Sequence, residues 1–363
     1  MGRLHDLFHD QGQSPWLDNL KRGWLADGQI ARWVERGVRG ITSNPAIFQK
    51  AIESGAEYDE QFAQLIAAGV SVEEAYWTMV CDDITAALAL LEPIHASSGG
   101  LDGYVSVEVA PSLARNRVGT EAAARQLDDR IHADNLYVKI PATREGVPAI
   151  AEMISEGRSI NVTLIFSLER YDEVIEAYIS GLERATGNLE PISSVASFFI
   201  SRVDTEIDRR LDTIGTDEAL ALRGTAAITQ GQLAYSLWAH RFSGARWDAL
   251  ADRGARPQRA LWASTSTKNP TYPDTLYVDA LIGPHTVNTI PDTTLEAFDD
   301  HGTVARTLDA DFDSAELRWR RLGELVDLTD VAAVLEAEGV ATFEKSYDEL
   351  LGALETKAAE LRG

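Results

Sequence analysis

The chain has 363 residues, 45 % hydrophobic and 25 % charged, which is enough for one large core or two ordinary domains of a water-soluble protein. Its 57 Asp and Glu against 33 Lys and Arg give a formal charge of −24, and no basic tract offsets it, which excludes nucleic acid and anionic membrane as partners. Cys81 is the only cysteine, so an internal disulfide and a cysteine zinc cluster are excluded too.

The N-terminal MGRLHDLFHDQG has no apolar segment of the kind a secretion signal carries, and no stretch reaches transmembrane length. The expectation is a cytoplasmic protein. His5 and His9 stand at i,i+4 without a third ligand, so they read as a solvated helix face and no metal site is expected.

Eight runs of strand character follow in order: SPWLDNL (14–20), GITSNP (40–45), YVSVEVAP (104–111), NLYVKIPAT (135–143), INVTLIFS (160–167), ISSVASFFIS (192–201), ALWASTST (260–267) and TVNTI (286–290). Helical patterns lie between them. Ser71 and Glu74 are spaced as a capping box before a long apolar-periodic stretch that runs to residue 96. Val203, Ile207, Leu211 and Ile214 form one stripe of a helix packed on a sheet. The stretch from 216 to 242 reads as two helices joined near Gly224, and the tail from Asp311 is almost wholly helical.

Alternating strands and helices without a composition break predict an α/β fold, a single (β/α)8 TIM-type barrel occupying residues 1–363. Residues 311–363 would form additional C-terminal helices packed on it. The first strand-to-helix turns lack the GxGxxG and P-loop patterns that often mark a nucleotide-binding open sheet.

In such a barrel the reacting groups sit at the C-terminal ends of the strands. The polar residues here fall there in turn: Asp18, Asn44, Glu108, Lys139, Asn161 with Thr163, Ser197, and the run Ser264 to Lys268. Lys139 stands out because it interrupts the apolar NLYVKIP. Desolvation there favours a neutral amine, which can attack a carbonyl. A lysine whose stem lies along apolar surface and whose head reaches water is the ordinary alternative. The ring of Asp, Glu, Asn, Thr and Ser around the same mouth favours chemistry: a nucleophilic amine, two carboxylates for proton transfer, and donors for a polyhydroxylated substrate. Arg202 or Lys268 can hold a phosphate. With neither a cofactor nor a metal expected, carbonyl activation would be covalent.

The runs TSNPAIF, VSVEV, LYVKIPAT, INVTLIFS, SFFISRVD, ASTSTKNP and YPDTLYVDALIGPHTVNTIP resemble the transaldolase family across most of the chain. The ASTSTKNPTYPDTLYV segment is similar to its longer bacterial members. The resemblance implies an enzyme that moves a dihydroxyacetone unit between sugar phosphates. It makes Lys139 the Schiff-base lysine, and Glu108 and Thr163 the holders of a proton-shuttling water. Asp18 becomes the base at the C4 hydroxyl. Asn44, Asn161 and Ser197 become hydrogen-bond partners of the dihydroxyacetone hydroxyls, and Arg202 the phosphate ligand.

Where shorter members have a second phosphate-binding arginine, this chain has STSTKNP, so Lys268 would stand in with Ser266. Phe199 occupies the place of a tyrosine found in the related fructose 6-phosphate aldolases, which favours transfer over release. A fructose 6-phosphate aldolase, a pyridoxal phosphate enzyme and a non-catalytic sugar-phosphate-binding barrel are the alternatives. A homodimer is left open.

Overall fold

Eight short parallel strands close into a barrel in a computed structural model that describes residues 2–362. They are β1 (Gln13–Leu17), β2 (Ile41–Thr42), β3 (Val105–Glu108), β4 (Leu136–Pro141), β5 (Ile160–Ile165), β6 (Ser194–Phe199), β7 (Arg259–Ala263) and β8 (Thr286–Ile290). Each pairs with its neighbours in chain order, and β8 closes the ring on β1 with Gln13 opposite Thr286 and Leu17 opposite Ile290. Every strand residue is buried, because side chains fill the barrel and helices cover its outside. That is why strands such as β4 (LYVKIP) and β7 (RALWA) read as almost continuous apolar runs, although β3 (VSVE) and β8 (TVNTI) carry buried polar residues among the apolar ones.

The expected strands are correct in number and order, and the eighth is exact at both ends, but the other seven are too long at their C-terminal ends. β1 stops before Asp18 and β2 holds two residues. β7 ends at Ala263, after which Ser264 turns the backbone out of the sheet at φ 56°. β5 carries a register shift between Val162 and Ile165, with Leu164 held at φ 59°. For a branched non-glycine residue this is a strained conformation that surrounding packing must hold.

The N-terminal end of the barrel is plugged by aromatic rings, with Tyr104 and Tyr137 stacked at 4.1 Å and Trp16 beside them. Gly40 permits this packing, since a Cβ there would lie 2.4 Å from the Trp16 ring. Buried Asp102 ties the plug together. It accepts from Arg39 (2.8 Å), Arg259 (3.0 Å), Ser14 (2.9 Å) and the Trp16 indole (3.2 Å). Burial pushes this carboxyl up, but Arg259 and Arg39 outweigh burial and hold it below the ordinary aspartate value.

Ser71 caps the helix Val72–Ser97 through the Glu74 amide, but the reciprocal half of the capping box does not form because the Glu74 carboxylate pairs with Arg130. The helix Ser201–Ile214 buries Val203, Ile207 and Leu211, whereas Ile214 is 39 % exposed where the helix ends at Gly215. The break at Gly224 divides Asp217–Leu220 from Ala226–Arg241, as expected.

The tail forms Phe312–Leu325 and a 35-residue helix, Leu328–Arg362. That long helix packs on Pro45–Ser54, Asp59–Ala67, Val72–Ser97 and Ser201–Ile214. Gly339 lets it approach Leu164 and Phe166, and Tyr347 packs edge-on against Tyr76.

Candidate active site

The C-terminal ends of the strands open onto a cavity of about 490 Å³ lined by Asp18, Asn44, Lys139, Thr163, Ser197, Phe199, Arg202, Ser266 and Lys268. Nine residues expected from scattered strand ends therefore share one wall. A larger hollow of about 640 Å³ lies at the opposite end of the barrel, but no lysine lines it and its Arg158 is occupied by Asp128, Asp129 and Glu156.

Lys139 is 5 % exposed. Its Nζ donates to the Ser43 carbonyl at 3.0 Å and lies 3.0 Å from Glu108 Oε2. β3 and β4 set this pair side by side, with Glu108 opposite Lys139 in register. Neither Glu108 oxygen has a hydrogen bond of good geometry within the protein, and the buried Thr163 hydroxyl has none. Burial raises the Glu108 carboxyl above its ordinary value, with Lys139 opposing. On its far side Glu108 borders a hollow of about 10 Å³, roughly the volume that one water centre needs, lined also by Tyr76, Trp77 and Tyr347.

Asp18 follows β1 directly, and burial raises its carboxyl, opposed first by Lys139 and then by the hydrogen bond from Thr42. The Thr42 hydroxyl donates to Asp18 Oδ1 at 2.8 Å and is itself within hydrogen-bond distance of the Thr289 hydroxyl. Asn44 Oδ1 accepts from the Ile47 amide at 3.0 Å, so Asn44 caps the helix Pro45–Ser54 while its side chain also borders the cavity. The cap engages the amide oxygen and leaves the amide nitrogen free to donate.

Asn161 is fully buried beneath the cavity floor. It donates to Ser106 Oγ at 3.0 Å and accepts from Ser197 Oγ at 2.7 Å, so it orients Ser197 from below. In the loop after β7 the residues alternate. Ser264, Ser266 and Lys268 line the cavity, whereas Thr265 turns to Asn288 and Thr267 to the Pro273 carbonyl. Lys268 Nζ donates to Ser266 Oγ at 2.6 Å. The Arg202 guanidinium lies 5.2 Å from the Phe199 ring centroid, and burial lowers it while Asp18 and Glu338 oppose.

Thr42, Thr289, Lys21, Lys50, Asp292 and Phe343 also border the cavity, and sequence reasoning passed over them. The two threonines carried a usable signal, since each sits at the C-terminal end of a strand run. Phe343 arrives on the long C-terminal helix, which no strand-end rule reaches.

A closed parallel barrel with a buried strand lysine against a carboxylate, a second carboxylate lining the cavity and a rim of cations defines a lysine-centred (β/α)8-barrel enzyme. The family model described as Transaldolase/Fructose-6-phosphate aldolase matches residues 15–354, and the chain belongs to that family. It is 49 % identical over 359 residues to a transaldolase of Arthrobacter sp., covering 97 % of each chain. It is 49 % identical over 357 residues to a transaldolase of Thermobifida fusca, again covering 97 % of each. Against transaldolase 1 of Streptomyces coelicolor the identity is 48 % over 360 residues, covering 98 % of this chain and 94 % of the relative. Among the described residues no helix is long and apolar enough to cross a membrane.

Proposed function

We propose that this chain is a transaldolase that moves a dihydroxyacetone unit from sedoheptulose 7-phosphate to glyceraldehyde 3-phosphate, giving erythrose 4-phosphate and fructose 6-phosphate. The observation that carries the reading is the buried Lys139 amine 3.0 Å from Glu108 at the floor of the mouth. The transaldolase names of the relatives point the same way. The chain acts as one domain, residues 1–363, with 311–363 packed on the barrel.

Lys139 adds to the C2 carbonyl of the ketose, and the carbinolamine loses water to give an iminium. Glu108 and Thr163 handle that proton traffic through a water, a role suited to a carboxylate beside the amine and a buried hydroxyl that has no protein hydrogen bond. Asp18 takes the proton of the C4 hydroxyl as the C3–C4 bond breaks, and the electron pair enters the iminium to leave an enamine. The aldose phosphate departs. C3 of the enamine then attacks the acceptor aldehyde, whose oxygen regains the proton from Asp18. Water hydrolyses the new iminium and frees Lys139. Ser197, held by Asn161, and the Asn44 amide fit the hydroxyls of the three-carbon unit. Arg202 and Lys268 with Ser266 fit the phosphate.

Release of dihydroxyacetone requires a proton donor at the enamine carbon. Phe199 supplies none and lies against Phe166 at 5.1 Å, which favours transfer. The deciding experiment is borohydride reduction in the presence of fructose 6-phosphate, followed by peptide mapping. A three-carbon adduct on Lys139 is expected, and an adduct on another lysine or none would refute the mechanism.

A further inference from the structure

We infer that Lys50 is a third phosphate-binding cation, acting with Arg202 and Lys268 at the rim of the cavity. The inference rests on the sugar-phosphate reading above and adds a residue that neither strand ends nor motifs indicate. Lys50 lies on the helix Pro45–Ser54 and borders the cavity together with Ala46 and Ile47, three positions on one helical face.

Three observations point to an anion. Among the described residues, none of Lys50, Arg202 and Lys268 has a carboxylate within ion-pair distance, in a chain whose net charge is −24. Arg202 and Lys50 line the same cavity as Lys268, and each acts on its ammonium as a like charge. Burial lowers the Lys268 amine first, and both Arg202 and Lys50 lower it further, with Asp18 opposing. A phosphate dianion seated between them converts that repulsion into attraction. Lastly, a lysine at position 268 offers a point charge without the two-pronged fork of an arginine, so a second lysine supplies donors for the remaining phosphate oxygens. Lys21, the other cation of the rim, is differently engaged, with its ammonium 4.6 Å from the Trp24 ring centroid.

The test uses glucitol 6-phosphate, which lacks a carbonyl and therefore binds without imine formation. Calorimetry should show Lys50→Met weakening its affinity about 5-fold, the upper range for a solvent-accessible ion pair, with Lys50→Arg within about twofold of the unaltered chain. The same Lys50→Met protein should form the borohydride-trapped adduct from unphosphorylated dihydroxyacetone at the unaltered rate. Unchanged glucitol 6-phosphate affinity in Lys50→Met, or equal losses in both assays, would overturn the inference. So would absence of binding by the unaltered chain. Failure of trapping in the unaltered chain with the phosphate effect intact would instead reject the transaldolase reading and leave this subsite standing.

Discussion

Lys139 and Glu108 occupy register-paired positions on adjacent strands, and their charged ends meet at 3.0 Å beneath the barrel mouth. The register of the sheet sets the two Cα positions side by side, and burial of both side chains keeps their ends together. Lys139→Arg should abolish turnover, because a guanidinium stays protonated and cannot form the imine. Glu108→Gln should keep a trappable lysine but slow imine formation and hydrolysis by about 10²–10⁴-fold. Rapid-quench measurement of adduct formation separates the two variants, and a Glu108→Gln protein with normal rates would remove Glu108 from the mechanism.

After burial and the Lys139 charge, Thr42 adjusts the working range of Asp18. Its hydroxyl donates to the carboxylate at 2.8 Å and so favours the charged form, against the burial that raises the group. Thr42→Val keeps the shape and deletes the donor, so the Asp18 carboxyl should rise further. The acidic limb of the kcat profile is expected to move to higher pH, while activity on the alkaline side changes little. An acidic limb that stays in place would assign it to another group.

Phe199→Tyr places a phenol against the rim occupied by the Phe166 ring and the Arg202 guanidinium. The hydroxyl can hydrogen-bond a water at the enamine carbon and aid its protonation. Fructose 6-phosphate should then be cleaved to free dihydroxyacetone without an acceptor, at a rate above that of the unaltered chain. Coupled-enzyme detection of dihydroxyacetone measures this directly.

Asp102 is a stability prediction at the other end of the barrel. Its replacement by Asn leaves Arg39 and Arg259 without their buried counter-charge, at a cost of about 3–5 kcal/mol. The folded carboxyl is held below its ordinary value, so its contribution is complete above about pH 4, the unfolded aspartate value. It is lost as pH falls through the folded value. Urea midpoints of the two proteins should differ most near neutral pH and converge in acid.

The barrel was legible because strands buried on both faces leave apolar runs, and because reacting groups sit where those runs end. Lys139 was conspicuous for the same reason: one charge inside NLYVKIP. Element ends were less legible. β2 needs only two residues to pair on both sides, and the positive φ at Ser264 comes from tertiary packing and not from local preference. Asn161 reads from sequence as one more strand-end polar group, and only the barrel's layering shows that it lies beneath Ser197. Lys50 and Phe343 lie on helices, and their approach to the cavity depends on how helices dock.

The pairing of β1 with β8 joins Gln13 to Thr286 across 273 positions of chain, so the last seam of the barrel is also its least local contact. Loop-closure entropy delays such contacts during folding. Lys139 and Glu108 lie on strands adjacent in sequence and Thr42 reaches Asp18 from neighbouring β2, whereas the Thr289 hydroxyl that meets Thr42 and the Ile290 carbonyl that holds the Asp18 amide arrive only across that seam. Assembly of the site is thus ordered in time: in refolding, a lysine able to capture a carbonyl should reappear before the enzyme can break a carbon–carbon bond, and recovery of turnover becomes a clock for ring closure.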